Sequence, residues 1–304
     1  MKRKVAKIGP STLMISLPSK WCKHFNIQKG VELEVEEQGS ELKIRTNENK
    51  TELETTVDIS GLSERTIQRL IGMPNKVGYD IVNIRHENSQ LEDINRIFKN
   101  LFIGFVISEQ TGEKTILKKI SNESEEEFDS ILRRAFLITL NLAETTAKLI
   151  KEGQLSKLKD SLMLEVSNNQ LTDYCHRLLI KFGYKNYIKT SFFYVIAWNL
   201  EKIADEYKDL IKYFSNKENV KLNKDILNLL EDISKKFKVY YELLYKFDIN
   251  KLEEITSDIK KLKDNLINYE NKLTKDETVV YAYLLKIADR LDNFSSNFVA
   301  VNLQ

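Results

Sequence analysis

Glu201, Asp205 and Asp209 are spaced i, i+4 and i+8, which puts three carboxylates on one face of a helix. Like charges at that spacing repel by roughly 0.2 to 0.5 kcal/mol per pair unless a cation lies over them. A hard, oxygen-seeking metal would serve. So would the neighbouring Lys202 and Lys208, or plain solvent. Nucleophilic and acid–base chemistry find less to work with. The three histidines, His24, His86 and His176, are scattered, no Gly-rich phosphate loop occurs, and no nucleophile has an obvious base. His176 follows Cys175 directly, so on a helix the two side chains diverge and make a poor metal pair; the histidine reads as a core or surface residue. Cys22 and Cys175, the only two cysteines in 304 residues, exclude a disulfide framework or a four-cysteine zinc site and read as buried thiols. The pattern is not that of an enzyme.

A second kind of chemistry lies at the start of the chain. Lys2, Arg3, Lys4, Lys7, Lys20, Lys23 and Lys29 give the first thirty residues seven positive charges and no negative one, whereas residues 31–50 hold six Glu. The formal net charge of +2 conceals this asymmetry. A basic edge suits a polyanion, because each phosphate neutralised releases condensed counterions; a solvated charge run reads the same way from charge alone.

The elements that must carry these groups differ along the chain. Leu13, Ile15 and Leu17 alternate, Pro18 and Ser19 open a helical turn with Trp21, Cys22 and Phe25, Val31, Leu33 and Val35 alternate again, and Leu42–Arg45 follows a Gly39–Ser40 turn. About four short strands and one helical turn make too small a core for a monomer, so pairing with a second copy about a two-fold axis is expected. Residues 51–120 read as a small α+β layer. Its strands are expected at Thr55–Ile59, Asp80–Arg85, Phe102–Ser108 and Thr115–Ile120, with helices at Arg65–Ile71 (Ser63 as N-cap) and Leu91–Asn100. It offers no cluster of reactive groups and reads as a spacer or dimer-supporting layer.

From Asn122 the period becomes 3.6: Phe128, Ile131, Leu132, Ala135, Phe136, Thr139, Leu142, Thr146 and Leu149 form one stripe. Breaks near 151–153, 183–187, 215–219, 248–250 and 273–277 predict six helices packed as three plus three. Leu200-Glu201-Lys202-Ile203-Ala204-Asp205 returns 84 residues later as Leu284-Leu285-Lys286-Ile287-Ala288-Asp289, the mark of a duplicated three-helix unit. No apolar run reaches the roughly 20 residues needed to span a bilayer, and no apolar segment follows the basic N-terminus, so no membrane insertion and a cytoplasmic location are expected.

Lys7-Ile8-Gly9-Pro10-Ser11-Thr12, the SLPSKW stretch 16–21, Ile27–Gly30 and Gly39–Ile44 together resemble the SpoVT/AbrB/MazE-type swapped-hairpin domain over residues 1–48. The resemblance implies a barrel made by two interleaved chains, with Lys2, Arg3, Lys4 and Lys7 facing the phosphates of double-stranded DNA and Ser11, Thr12 and Lys20 near the same surface. Ser11 and Thr12 serve equally well as turn-forming side chains. The repeated phrase and the six helices are similar to PhoU over about residues 122–302. That resemblance implies a divalent or iron-type metal ion on a Glu/Asp-x-x-x-Asp motif, supplied by Glu201 and Asp205 in one bundle and by Asp289 in the other. Leu285 stands where the second motif has Glu, and Asn169 lies beside Glu165 and Asp173 where an acid is expected, so one site or none is implied rather than two.

The expected architecture is therefore multidomain. A swapped-hairpin β-barrel (1–48) precedes an α+β connecting domain (49–121) and an all-α pair of three-helix bundles (122–304). In this order the whole resembles the archaeal PhoU-type phosphate uptake regulators. The implied function is a dimeric DNA-binding regulator of phosphate uptake and homeostasis whose bundle reads a partner, a phosphate-transport ATPase or another regulator. The alternative is a PhoU-like adaptor of the transport machinery without sequence-specific DNA binding. An antitoxin role fits poorly with so large a helical portion.

Overall fold

The computed structural model describes residues 1–46, 52–217, 220–269 and 272–303. The domain boundary read at 48/49 and part of the break read at 215–219 lie outside them. Contacts divide the chain into two units, Met1–Glu52 and Leu53–Gln304.

The first unit contains two antiparallel hairpins and a short helix. β1 (Ala6–Ile8) pairs with β2 (Thr12–Met14), α1 (Ser19–His24) follows Pro18, and β3 (Leu33–Gln38) pairs with β4 (Glu41–Thr46). Gly39 takes φ +63° in the two-residue turn that sets Gln38 opposite Glu41, a conformation that glycine adopts without steric cost. The hairpins form separate two-stranded sheets, and no closed barrel is formed among the described residues of this one chain. None of the described side chains of this unit is buried. Cys22, expected to be a buried thiol, is only half-buried for the same reason, whereas Cys175 is fully buried in the helical part.

The second unit begins with an α+β layer. β5 (Glu54–Asp58) and β6 (Ile81–Arg85) are parallel and joined through α2 (Glu64–Lys76). After α3 (Leu91–Leu101), β7 (Phe105–Gln110) and β8 (Lys114–Lys119) form a hairpin, giving the strand order β5-β6-β8-β7. Ile59, Ile67, Ile71, Val82, Ile84, Ile94 and Leu117 fill its core. Two local expectations need correction. Helix α2 runs through Pro74 to Lys76 rather than ending at Ile71, and the Ser63 hydroxyl at its N-cap pairs with Thr66 Oγ1 (3.2 Å) rather than with a backbone N–H. The five extra residues of α2 bring Lys76 to the helical part of the molecule.

Six long helices follow: α4 (Phe128–Lys151), α5 (Leu162–Phe182), α6 (Thr190–Phe214), α7 (Lys224–Tyr245), α8 (Ile249–Ile267) and α9 (Lys275–Asn302). The starts of the last three are capped by side chains. The Asn223 side chain accepts from Ile226 N–H, Asp248 accepts from Asn250 and Lys251 N–H, and Thr274 with Glu277 makes a capping box. α4, α5 and α6 pack on one another, as do α7, α8 and α9, and α4 with α7 and α6 with α9 join the two groups. Phe136 stacks on Phe237 at 5.8 Å and meets Phe294 at 5.7 Å across that junction. Thr139 and Thr146 lie on the buried stripe of α4 because their hydroxyls donate back to the Ala135 and Leu142 carbonyls, which removes the cost of burying them.

The α+β layer meets the bundle along one stripe of α5, where Asp173, Arg177 and Lys181 are four residues apart. Arg177 is wholly buried. It donates to Glu123 (2.5 Å), to the Tyr79 carbonyl (2.6 Å) and Asn75 carbonyl (3.1 Å), and to the Asp80 carboxylate. Lys181 reaches Asp80 at 2.6 Å and Glu123 at 3.2 Å, and Lys119 reaches Glu123 at 3.0 Å. The apolar cores on the two sides form separate clusters, so this seam is polar.

Candidate functional site

Lys2, Arg3 and Lys4 lead into β1, Lys7 lies within it, Ser11 lies in the turn, Thr12 begins β2, and Lys20 is in the first turn of α1; all are exposed. Strand register separates two of them. Lys7 faces Leu13, while Ile8 faces Thr12, so within this hairpin Lys7 and Thr12 project from opposite faces. Neither Ser11 nor Thr12 makes a side-chain hydrogen bond among the described residues, so no turn-forming role is seen for them.

The carboxylates of the first three-helix group are arranged as an alternating chain of charges. Lys76 Nζ lies 2.6 Å from Asp173 and 3.1 Å from Glu201. Lys202 Nζ joins Glu201 (3.1 Å) to Asp205 (2.9 Å), and Lys208 joins Asp205 (2.5 Å) to Glu165 (2.8 Å), which also accepts from Asn169 Nδ2 at 2.6 Å. Four carboxylates thus alternate with three ammonium groups. Trp198 lies beneath two of the cations, 4.8 Å from Lys202 and 5.7 Å from Lys76. A cleft of about 340 Å³ opens alongside, with Arg65 and Arg69 of α2 facing Asp205 and Lys208.

The electrostatics follow from burial opposed by close pairing. Burial disfavours the charged form of Glu201, yet Lys76 and Lys202 hold its carboxyl below the usual value. Asp205 is held down in the same way by Lys208 and Lys202. Asp173 is pushed up to about 6 by burial despite Lys76.

Of the residues implied as metal ligands, Glu201 and Asp205 share this chain of charges but face lysines. Asp289 does not join them. It lies on α9, more than half exposed, 2.7 Å from Lys263, which also holds Asp292 at 3.0 Å. Leu285, in place of the motif's Glu, packs against the helical core. Asp209 is exposed at the end of its row. Among the described residues, the side chains that come together at metal-ligand separation are Asp173, His176 and Glu201, each offering one donor atom within 4.8 Å of the other two.

His176 is fully buried and burial lowers its pKa to about 4, so the ring is neutral at pH 7. Its Nε2 lies 3.2 Å from the Tyr194 carbonyl, which can only accept, so Nε2 carries the proton and Nδ1 keeps its lone pair. Nδ1 has no hydrogen-bond partner. The informative spacing was Asp173 to His176, i to i+3, which shares a helical face. Lys76 left no signal, because a contact spanning 125 residues has no local pattern.

No family model, curated protein or solved structure matches this chain. No helix among the described residues is long and apolar enough to cross a membrane.

Proposed function

We propose that this chain is a DNA-binding transcriptional regulator of phosphate uptake and phosphate homeostasis, acting as a homodimer through its first unit, with the helical part as the partner-reading body. The carrying observation is that the first unit has no buried described side chain while Ile8, Leu13, Met14, Ile15, Val35 and Leu42 remain 47% to 69% exposed. A module of this size is not stable with its apolar side chains in water. A second copy, interleaving its hairpins into a barrel, covers them and brings two sets of Lys2, Arg3, Lys4 and Lys7 onto one assembly. Eight basic side chains on one dimer supply the sequence-independent part of binding to double-stranded DNA.

The connection to phosphate rests on the resemblance of the helical part to PhoU, supported by six helices grouped three and three with the repeated phrase on α6 and α9. The proposed mechanism is a population shift. A partner such as a phosphate-transport ATPase, or another regulator, binds one arrangement of the helices better and thereby changes how the paired hairpins engage DNA.

The test is binding of the purified dimer to duplex DNA from its own upstream region and to an unrelated duplex, across a salt series. The expected result is upstream preference with a log–log salt slope near −0.9 per phosphate contacted. A folded dimer that binds neither duplex at low salt refutes the regulator reading and leaves the transport-linked adaptor.

A further inference from the structure

We infer that Asp173, His176 and Glu201 form a latent site for one borderline divalent transition metal, and that Lys76 is its tethered competitor: metal enters only when the Lys76 ammonium withdraws and α2 loosens from the bundle. This is not the Glu201–Asp205 pair that the resemblance to PhoU implies, since Asp205 is held between Lys202 and Lys208. Nor does it rest on the DNA-binding reading, whose failure would leave it standing.

Three independent features of the structure carry it. The donor set, one imidazole nitrogen and two carboxylate oxygens within 4.8 Å of one another, suits Zn²⁺, Co²⁺ or Mn²⁺ rather than Mg²⁺ or Ca²⁺, which favour oxygen alone. His176 presents a buried Nδ1 lone pair with no partner, while its Nε2–H is held by the Tyr194 carbonyl. Metal-binding histidines are oriented in this manner, with the second ring nitrogen donating to a carbonyl or carboxylate. An apolar or merely structural histidine gains nothing from an unsatisfied acceptor in a dry interior. Finally, the position between the two carboxylates is held by a cation, Lys76 Nζ, at 2.6 Å from Asp173 and 3.1 Å from Glu201.

Geometry makes occupancy exclusive. Metal–ligand bonds of about 2.0 to 2.2 Å place tetrahedral ligands about 3.4 Å apart, so the three donors must close around a point that an ammonium group cannot share. No proton moves: the imidazole is already neutral with its lone pair on Nδ1, and one dication replaces one monocation beside the carboxylates. Lys76 is the last residue of α2, adjoining the turn whose Asn75 and Tyr79 carbonyls are held by Arg177. Expelling its side chain therefore loosens the end of α2 while the Arg177 contacts persist.

The probes are Co²⁺, followed by its visible absorption, and Zn²⁺, using the full chain. Wild-type protein is expected to bind one Co²⁺ per chain weakly, saturating in the millimolar range. Lys76→Met and Lys76→Gln are expected to bind at least tenfold more tightly, and adding His176→Leu to either should reverse that gain and abolish the nitrogen contribution to the Co²⁺ spectrum. In the wild type, Zn²⁺ should accelerate amide hydrogen exchange in residues 64–76 while α7–α9 stay unchanged. Absence of saturable binding by the wild type overturns the proposal, as does binding that leaves exchange in α2 unaltered. Folded Lys76 variants with wild-type affinity, or indifference to His176→Leu, also overturn it. The exchange measurement decides the matter should both Lys76 variants fail to fold.

Discussion

Replacing Glu123 by glutamine should destabilise this protein more than replacing Arg177 by methionine, although Arg177 makes more contacts. The seam cluster holds three cations, Arg177, Lys181 and Lys119, against two carboxylates, Asp80 and Glu123, an excess of one positive charge. Arg177→Met leaves two cations and two carboxylates. Asp80 keeps Lys181 and the Leu53 N–H (3.2 Å), Glu123 keeps Lys119 and Lys181, and the Asn75 carbonyl keeps the Gly78 N–H (3.1 Å), while the uncharged Tyr79 carbonyl loses its Arg177 donor. Breaking a buried pair costs about 3 to 5 kcal/mol, mostly because a charge is left uncompensated. With none left over here, Arg177→Met belongs at the lower end, about 3 kcal/mol. Glu123→Gln instead leaves three cations against one carboxylate, and Glu123 is the group that all three touch, so its cost belongs at the upper end, about 5 kcal/mol. Urea denaturation at pH 7 and constant ionic strength measures both. Equal losses, the reverse order, or a loss below about 1 kcal/mol for Arg177→Met would refute the charge-count reasoning.

Acid should act on the same cluster. Burial disfavours the charged forms of Asp80 and Glu123, but Lys181 and Arg177 respectively hold them below their ordinary values of 3.8 and 4.5. Their contribution is complete above those values and disappears as pH falls through the lower folded ones, so stability should decline below about pH 4 and Arg177→Met should flatten that limb. Leu13→Asp with Val35→Asp, measured by light scattering after gel filtration, should give a monomer with unchanged helical circular dichroism; a persistent dimer would refute pairing through the first unit. Lys4→Gln with Lys7→Gln should lower the magnitude of the salt slope of DNA binding by up to about 1.8 per subunit while leaving upstream preference in place. Lys208→Met leaves Asp205 with Lys202 but leaves the buried Glu165 carboxylate with only the neutral Asn169 amide, so by the same charge count it should cost about 3 to 5 kcal/mol by thermal denaturation.

Periodicity and turn chemistry made much of the fold legible. The six helices and the order of the α+β elements follow from apolar spacing and from breaks at residues such as Gly153, Gly183 and Asp248, because those signals are local. Helix α2 outruns the expected Ile71 and passes through Pro74, although proline disfavours helix interiors. The candidate site was half legible. Glu201, Asp205, Lys202 and Lys208 share one helix, so their mutual neutralisation could be anticipated from spacing. Lys76 and Arg177 could not, since each acts on groups more than fifty residues away. Repetition also misled at Asp289, where the phrase recurs but the partner is Lys263 of α8 rather than another acid.

The polar seam has a thermodynamic consequence of its own. Because the apolar clusters of the α+β layer and the bundle are separate, parting the two along α5 would hydrate ions and carbonyls far more than hydrocarbon. Heat capacity rises with exposed apolar area and falls with polar area, so such an opening would carry a small heat-capacity increment and a shallow dependence on urea. It would therefore be a transition that calorimetry nearly overlooks and that added salt readily promotes. Ile103 of the layer, which packs against the bundle core, would be wetted as well, but the two apolar clusters themselves would stay covered.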